Sequence, residues 1–281
     1  MKVYAIYRPL YGEDFIEDSI NSILDYVDKV FFCYTDTPLA GVTAVNYRGQ
    51  HVAFPIRPGR TMDQALERVE ALRSPKIEIL YQDGLDNMSQ FTRLMNERIL
   101  PNFERPDIAF LIEPDMVFRR SEIETALSVL PAIEAPVATT AQIELWKTPD
   151  WAIPMRNRPG VTFWNLRKVD QVPPTRRAAE PVGWDMPVLP AVSHNFGFCI
   201  SPRSMLLKHL LAIAFSRPID DSPPSEDWYD TVWLSWHPLT NNRNLEIAAG
   251  FAHLIPFAMP YRRANLPETI RARFGYEAAD D

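Results

Sequence analysis

The chain has 281 residues, room for one large α/β domain or two of average size, and 29 Lys and Arg against 36 Asp and Glu leave a net charge of −7. Its basic residues come in short pairs, Arg119-Arg120, Arg176-Arg177 and Arg262-Arg263, which argues against the dense positive charge on which general nucleic-acid or anionic-membrane binding rests. No transmembrane segment is expected, because the longest nearly apolar stretch, Met205 to Phe215, is broken by Lys208 and His209 and falls far short of the ~20 residues a span needs.

The opening MKVYAIYRPLYGEDF has too short an apolar run, too soon followed by acids, for a secretory signal. A cytoplasmic protein is therefore expected, with peripheral membrane association left open. Cys33 and Cys199 sit in apolar runs without CxxC spacing and are expected to be buried small hydrophobes. Lys2 to Tyr7 reads as a strand, and Ile16, Ile20, Ile23, Leu24 and Val27 fall on one helical face after it. Lys29 to Tyr34 (KVFFCY) is a second buried strand ending at Thr35-Asp36, and the strand, helix, strand order implies a parallel crossover. Thr61 and Gln64 suggest a capping box for a helix carrying Met62, Ala65, Leu66, Val69 and Leu72, which ends near Ser74-Pro75. Ile77 to Tyr81 is a third strand. Phe91, Leu94, Met95 and Ile99 mark a helix before Pro101, Ile108 to Ile112 a fourth strand, and Ser121 with Glu124 the cap of a helix burying Ile123, Ala126, Leu127 and Leu130.

That alternating half, residues 1–135, gives way to a Pro-rich and Trp-rich half, residues 136–281. All seven Trp lie between Trp146 and Trp236. Strands are expected at Val137 to Leu145, Val161 to Leu166 and Phe196 to Ile200, a helix from Ser201-Pro202, and another from Ser225 through Trp236. The 26 Pro are spread through loops rather than gathered into a linker, so a single domain of two lobes is expected.

Chemistry concentrates at Glu113-Pro114-Asp115, where two carboxylates spaced i, i+2 at a strand end project the same way and can share a hard divalent cation. The same residues also suit an ordinary acidic turn. A first strand leading into an acidic helix, a second strand ending in Thr35-Asp36 and this acid-x-acid motif after a buried strand together resemble the amino half of GT-A glycosyltransferases, in particular the inverting family 2 type. The resemblance covers roughly Lys2 to Leu130. It implies an α/β fold with a mixed central sheet and flanking helices, a nucleotide-sugar donor held by Tyr7, Arg8, Glu13, Asp36 and Asp115, and Mn or Mg held by Glu113 and Asp115. The first acid is Glu where Asp is commoner in that family. His194-Asn195-Phe196-Gly197-Phe198 looks like the family's acceptor-side strand, and Ser225-Glu226-Asp227-Trp228 is similar to its Glu-Asp motif. By that resemblance Asp227 is the candidate base, Glu226 its possible replacement, His194 and Trp228 acceptor-side residues, and His253 or His237 a late metal ligand. Arg262, Arg263, Arg271 and Arg273 are candidates to reach the diphosphate, and the Trp side chains are candidates to face a carbohydrate or other hydroxyl acceptor. Two further readings stand beside this one: a sugar-phosphate nucleotidyltransferase, which would carry a Gly-rich loop with a basic residue after the first strand that Tyr-Arg-Pro-Leu-Tyr-Gly, with one Gly, does not supply, and a carbohydrate-binding protein without turnover.

Overall fold

The computed structural model describes residues 1–38, 41–82, 93–153, 159–172, 186–219, 225–243, 245 and 257–276. Its first strand, β1 (Val3–Tyr7), is buried along its whole length: Val3, Ala5 and Tyr7 face one core, Tyr4 and Ile6 the other. A run without polar residues has no face to offer water, so both sides must be covered. On the first side lies α1 (Ile16–Ile23), which buries Ile16, Ile20 and Ile23. β2 (Lys29–Tyr34) pairs parallel with β1 and divides Val30 and Phe32 from Phe31 and Cys33 in the same way. A hairpin follows outside the main sheet, β3 (Ala44–Tyr47) and β4 (Gln50–Ala53), closed by Arg48 and Gly49, both at positive φ (51° and 73°) as a two-residue hairpin turn requires.

After α2 (Ala65–Ala71), β5 (Ile77–Tyr81) pairs with the outer edge of β2, and β6 (Ile108–Leu111) then returns to the opposite side of β1, parallel again. The chain thus leaves β1 in one direction and comes back on the other. β1 and β6 flank a topological switch point, and the loops after them border one crevice beyond their carboxyl ends.

The rest of the chain extends the sheet: β7 (Met116–Phe118), α3 (Arg120–Val129), β8 (Val137–Trp146), β9 (Thr148–Ile153), β10 (Pro159–Asn165), β11 (Val188–Phe198), α4 (Pro202–Ile219), β12 (Met259–Pro260) and α5 (Glu268–Phe274). β10 runs antiparallel between β6 and β8, while β11 is parallel to β8 and antiparallel to β7. One mixed sheet in the order β12-β9-β8-β10-β6-β1-β2-β5, with β11 and β7 joined at β8, therefore runs through both halves. The fold is α/β, a mixed central sheet with flanking helices. Among the described residues no helix is long and apolar enough to cross a membrane.

Several local expectations change. The Thr61–Gln64 capping box does not form, because α2 starts at Ala65 and its amides are met from elsewhere: Thr61 Oγ1 accepts from Leu66 at 3.2 Å, Asp63 Oδ1 from Ala65 at 3.0 Å and Glu13 Oε2 from Gln64 at 2.9 Å. Ser121 lies inside α3, whose cap residue is Arg119, and the Arg120 amide is taken by Glu268 at 3.0 Å. The helices expected before Pro101 and after Ser225 are short, wide π-helical segments, Leu94–Ile99 and Tyr229–Leu234, and Phe91 lies outside the described residues. Strand β11 begins eight residues before Phe196. Cys33 is buried, Cys199 only partly, and both are free thiols.

Candidate active site

Two loops meet at the switch point. The loop after β1, Arg8 to Phe15, is held by Asp63, whose Oδ2 accepts the amides of Gly12 at 2.6 Å and Glu13 at 2.8 Å. The loop after β6 is Glu113-Pro114-Asp115, and the Met116 amide donates back to the Glu113 carbonyl at 3.1 Å. This is a turn rather than an extension of the strand. The acid-x-acid motif thus sits in the acidic turn that its residues also suit, with Glu113 exposed and Asp115 partly exposed.

Each acid has a cation near it. Arg8 is largely buried, and burial lowers its pKa to about 10, with the charge of Glu113 acting in the opposite direction to keep it protonated. Lys208, from α4, puts Nζ 3.8 Å from Asp115 Oδ2 and 2.9 Å from the Gly197 carbonyl oxygen, to which it donates. Asp115 Oδ1 is buried, and among the described residues it has no hydrogen-bond partner. The Tyr11 phenol is pushed up by burial and by the charges of Asp115, Glu113 and Asp63, so it keeps its proton and can donate. Neither Lys208 nor Tyr11 belongs to a sequence motif; Lys208 stood out only as a charge interrupting an apolar stretch.

The expected Mn or Mg fits this arrangement poorly. A divalent ion on Asp115 would stand within a few ångströms of the Lys208 ammonium, and like unit charges 4 Å apart repel by about 4 kcal/mol at an effective dielectric of 20. Among the described residues no group of three or more His, Cys, Asp or Glu is placed to hold a metal. His253 lies outside the described residues. His237 accepts the Leu239 amide at 3.3 Å through Nδ1, inside its own turn.

The other expected site residues are placed as follows. Tyr7 is fully buried with its hydroxyl 2.9 Å from Ser19 Oγ, so its ring packs beneath α1 and does not reach the crevice. Asp36, after β2, accepts from Tyr81 Oη at 3.0 Å and from the Gly59 amide at 2.6 Å, fastening two loops. His194 is 1% exposed, its Nε2 2.9 Å from Tyr261 Oη, and burial and the nearby Arg119 lower its pKa to about 3. Trp228 is buried, stacked on His209 at 5.5 Å and edge-on to Trp146. An acceptor contact from either His194 or Trp228 is corrected on that ground, since neither side chain has a free surface.

Glu226 and Asp227 face the β3–β4 hairpin. Glu226 Oε2 accepts the Arg48 amide at 2.7 Å and its carbonyl accepts from Tyr47 Oη at 3.0 Å, while Asp227 meets the Arg48 guanidinium at 3.5 Å and remains largely exposed. α4 links this clasp to the acidic turn, because His209, next to Lys208, lies 3.4 Å from the Glu226 carbonyl oxygen. Arg263, Arg271 and Arg273 are engaged by Asp150, Glu268 and Asp18. Of the Trp side chains, Trp146, Trp164, Trp228 and Trp233 are core, and Trp151 and Trp236 meet edge to face at 5.5 Å while partly exposed.

No family model matches the chain, and no curated protein does. Among solved structures it is similar to residues 1–349 of S. aureus TarS in complex with UDP-GlcNAc, at 12% identity and a TM-score of 0.44 over 83% of this chain and 72% of that one. It is also similar to the inositol-1-phosphate CTP transferase from T. maritima, at 12% identity and a TM-score of 0.40 over 74% of this chain and 95% of that one.

Proposed function

We propose that the chain is a glycosyltransferase that moves a sugar from a nucleotide-diphosphate donor to a hydroxyl acceptor with inversion. The observation that supports it is the charge assembly at the carboxyl ends of β1 and β6, where Arg8, Glu113, Asp115 and Lys208 border the crevice in which open α/β sheets take their ligands. The nucleoside lies over the ends of β1 and β2 near Asp36, with the diphosphate toward Arg8. The acceptor oxygen attacks the anomeric carbon, the bond to the diphosphate oxygen breaks with its electron pair leaving on the diphosphate, and Asp227 takes the acceptor proton. Asp227 suits that part better than Glu226, whose carboxylate is already bonded to the hairpin backbone.

A second reading, sugar-phosphate nucleotidyl transfer, is favoured by the basic residue Arg8 standing directly after the first strand. The test is phosphorus NMR on the purified protein with each of UDP-, GDP- and dTDP-glucose alone, and separately with each nucleoside triphosphate plus glucose 1-phosphate. Slow release of nucleoside diphosphate in the first set supports glycosyl transfer. Pyrophosphate release in the second set replaces it with nucleotidyl transfer, and no turnover in either leaves the carbohydrate-binding reading.

A further inference from the structure

The cation beside the acidic turn comes from α4, far along the chain from Asp115. We propose that Lys208 is a diphosphate-binding residue and that, with Arg8, it makes nucleoside diphosphate binding independent of a divalent metal. This rests on the transferase reading and goes further, naming the charge that meets the phosphates.

Three observations carry it. First, Lys208 is positioned: its ammonium donates to the Gly197 carbonyl oxygen at 2.9 Å, faces Asp115 at 3.8 Å and lies 4.9 Å from the Phe198 ring centre. An ammonium has three donors, and only one is committed to a short hydrogen bond here. Second, the place is kept open by a missing side chain. A Cβ on Gly197 would fall 2.5 Å from Lys208 Nζ, 2.7 Å from Asp115 Oδ2 and 2.8 Å from Asn195 Oδ1, so only glycine lets these three groups converge. Third, among the described residues no donor meets the buried Asp115 Oδ1, so the Lys208 ammonium is the cation that offsets this carboxylate. With Arg8 beside Glu113, both acids already have positive neighbours where a metal would otherwise stand.

The experiment is isothermal titration of the full chain with UDP, GDP, CDP and dTDP, each in EDTA and in Mn, repeated for Lys208→Met, Lys208→Arg and Gly197→Ala. At least one diphosphate should bind the parent with a Kd in EDTA within about threefold of that in Mn. Lys208→Met should weaken it about ten- to a hundredfold, the worth of one charge-assisted hydrogen bond, and Lys208→Arg should recover most of the loss. Gly197→Ala keeps every charge but pushes the Lys208 ammonium, Asp115 Oδ2 and Asn195 Oδ1 apart, so it should weaken binding in the same direction without leaving Asp115 beside a neutral side chain. Binding that appears only with Mn overturns this inference and leaves the transferase reading standing, as does parent-like binding by both Lys208→Met and Gly197→Ala. Failure of all four diphosphates to bind the parent in either buffer overturns the transferase reading and this inference with it.

Discussion

Gly12 and Pro114 lock the two loops of the crevice together. A Cβ on Gly12 would run into the Pro114 ring, and the Gly12 φ of +153° lies where side chains are disfavoured. Gly59 makes a control, since its φ is +67° but nothing lies within 4 Å of its would-be Cβ. Gly12→Ala should cost about 3 kcal/mol, overpacking and backbone strain together, and Gly59→Ala about 1 kcal/mol from the backbone alone. Urea denaturation of both variants checks this. Equal losses would mean that the loops yield freely.

Trp228 joins His209 and Trp146 in the core of the second half. Trp228→Ala should therefore lower stability by about 3–5 kcal/mol, the usual result of removing a large buried side chain. Trp236→Ala, at a partly exposed position, should cost less than half of that. If Trp228→Ala proves as mild as Trp236→Ala, the ring is not core and an acceptor role returns.

The parallel strands are legible as short runs rich in β-branched and aromatic residues, Lys29–Tyr34 behind a single leading lysine and Ile77–Tyr81 around a single Glu78; both have the bounds read from the residues alone, and Ile16, Ile20 and Ile23 bury the face their spacing implies. Residues of the β3–β4 hairpin carry little such signal. Gln50, His51 and Ala53 are exposed and Val45 is its one fully buried side chain, so neither alternation nor a run betrays it. In the crevice, Glu113 and Asp115 were legible as residue types. Their neighbours Arg8 and Lys208 were not legible as a set, because ion pairing between distant elements leaves no period in the chain. The motif equally suits a strand end and an acidic turn, and the Met116–Glu113 hydrogen bond, which no residue pattern announces, makes it a turn.

Acid should act through His194. Its folded pKa, about 3, lies below the ordinary value of 6.5, so the folded state holds the ring neutral while the unfolded chain protonates it as pH falls. The sign is a loss of stability below pH 6.5, continuing toward pH 3, of about 1.4 kcal/mol per pH unit. His209 is lowered as well and adds the same sign, whereas Asp18 and Asp63 are raised by burial and oppose it. Those three contributions remain in His194→Gln and cancel in the difference. Denaturant unfolding at pH 7, 6 and 5 should show the parent losing stability more steeply than His194→Gln, and parallel curves would place the charge-sensitive site elsewhere.

Asp227 and Glu226 are adjacent, yet their settings differ in a way that activity can read. Glu226 holds the hairpin through the Arg48 amide, a bond an amide oxygen can accept equally well, so Glu226→Gln should keep both fold and turnover. Among the described residues the Asp227 carboxylate meets the Arg48 guanidinium, which also pairs with Asp230, and it is largely exposed and open to an acceptor hydroxyl. Asp227→Asn cannot take the proton, and transfer should fall by about 10²- to 10⁴-fold while the Kd for the nucleoside diphosphate stays within about threefold of the parent. Arg48→Ala supplies the structural control: it takes the guanidinium from Asp227 and Asp230 without removing either carboxylate or the backbone bond to Glu226, so it should lower thermal stability and spare most of the turnover. The measurement is nucleoside diphosphate release with a sugar acceptor, alongside titration of the diphosphate itself. Normal turnover by Asp227→Asn removes it as the base; loss in Glu226→Gln instead moves the assignment by one residue, and weakened diphosphate binding in Asp227→Asn places the residue on the donor side of the crevice.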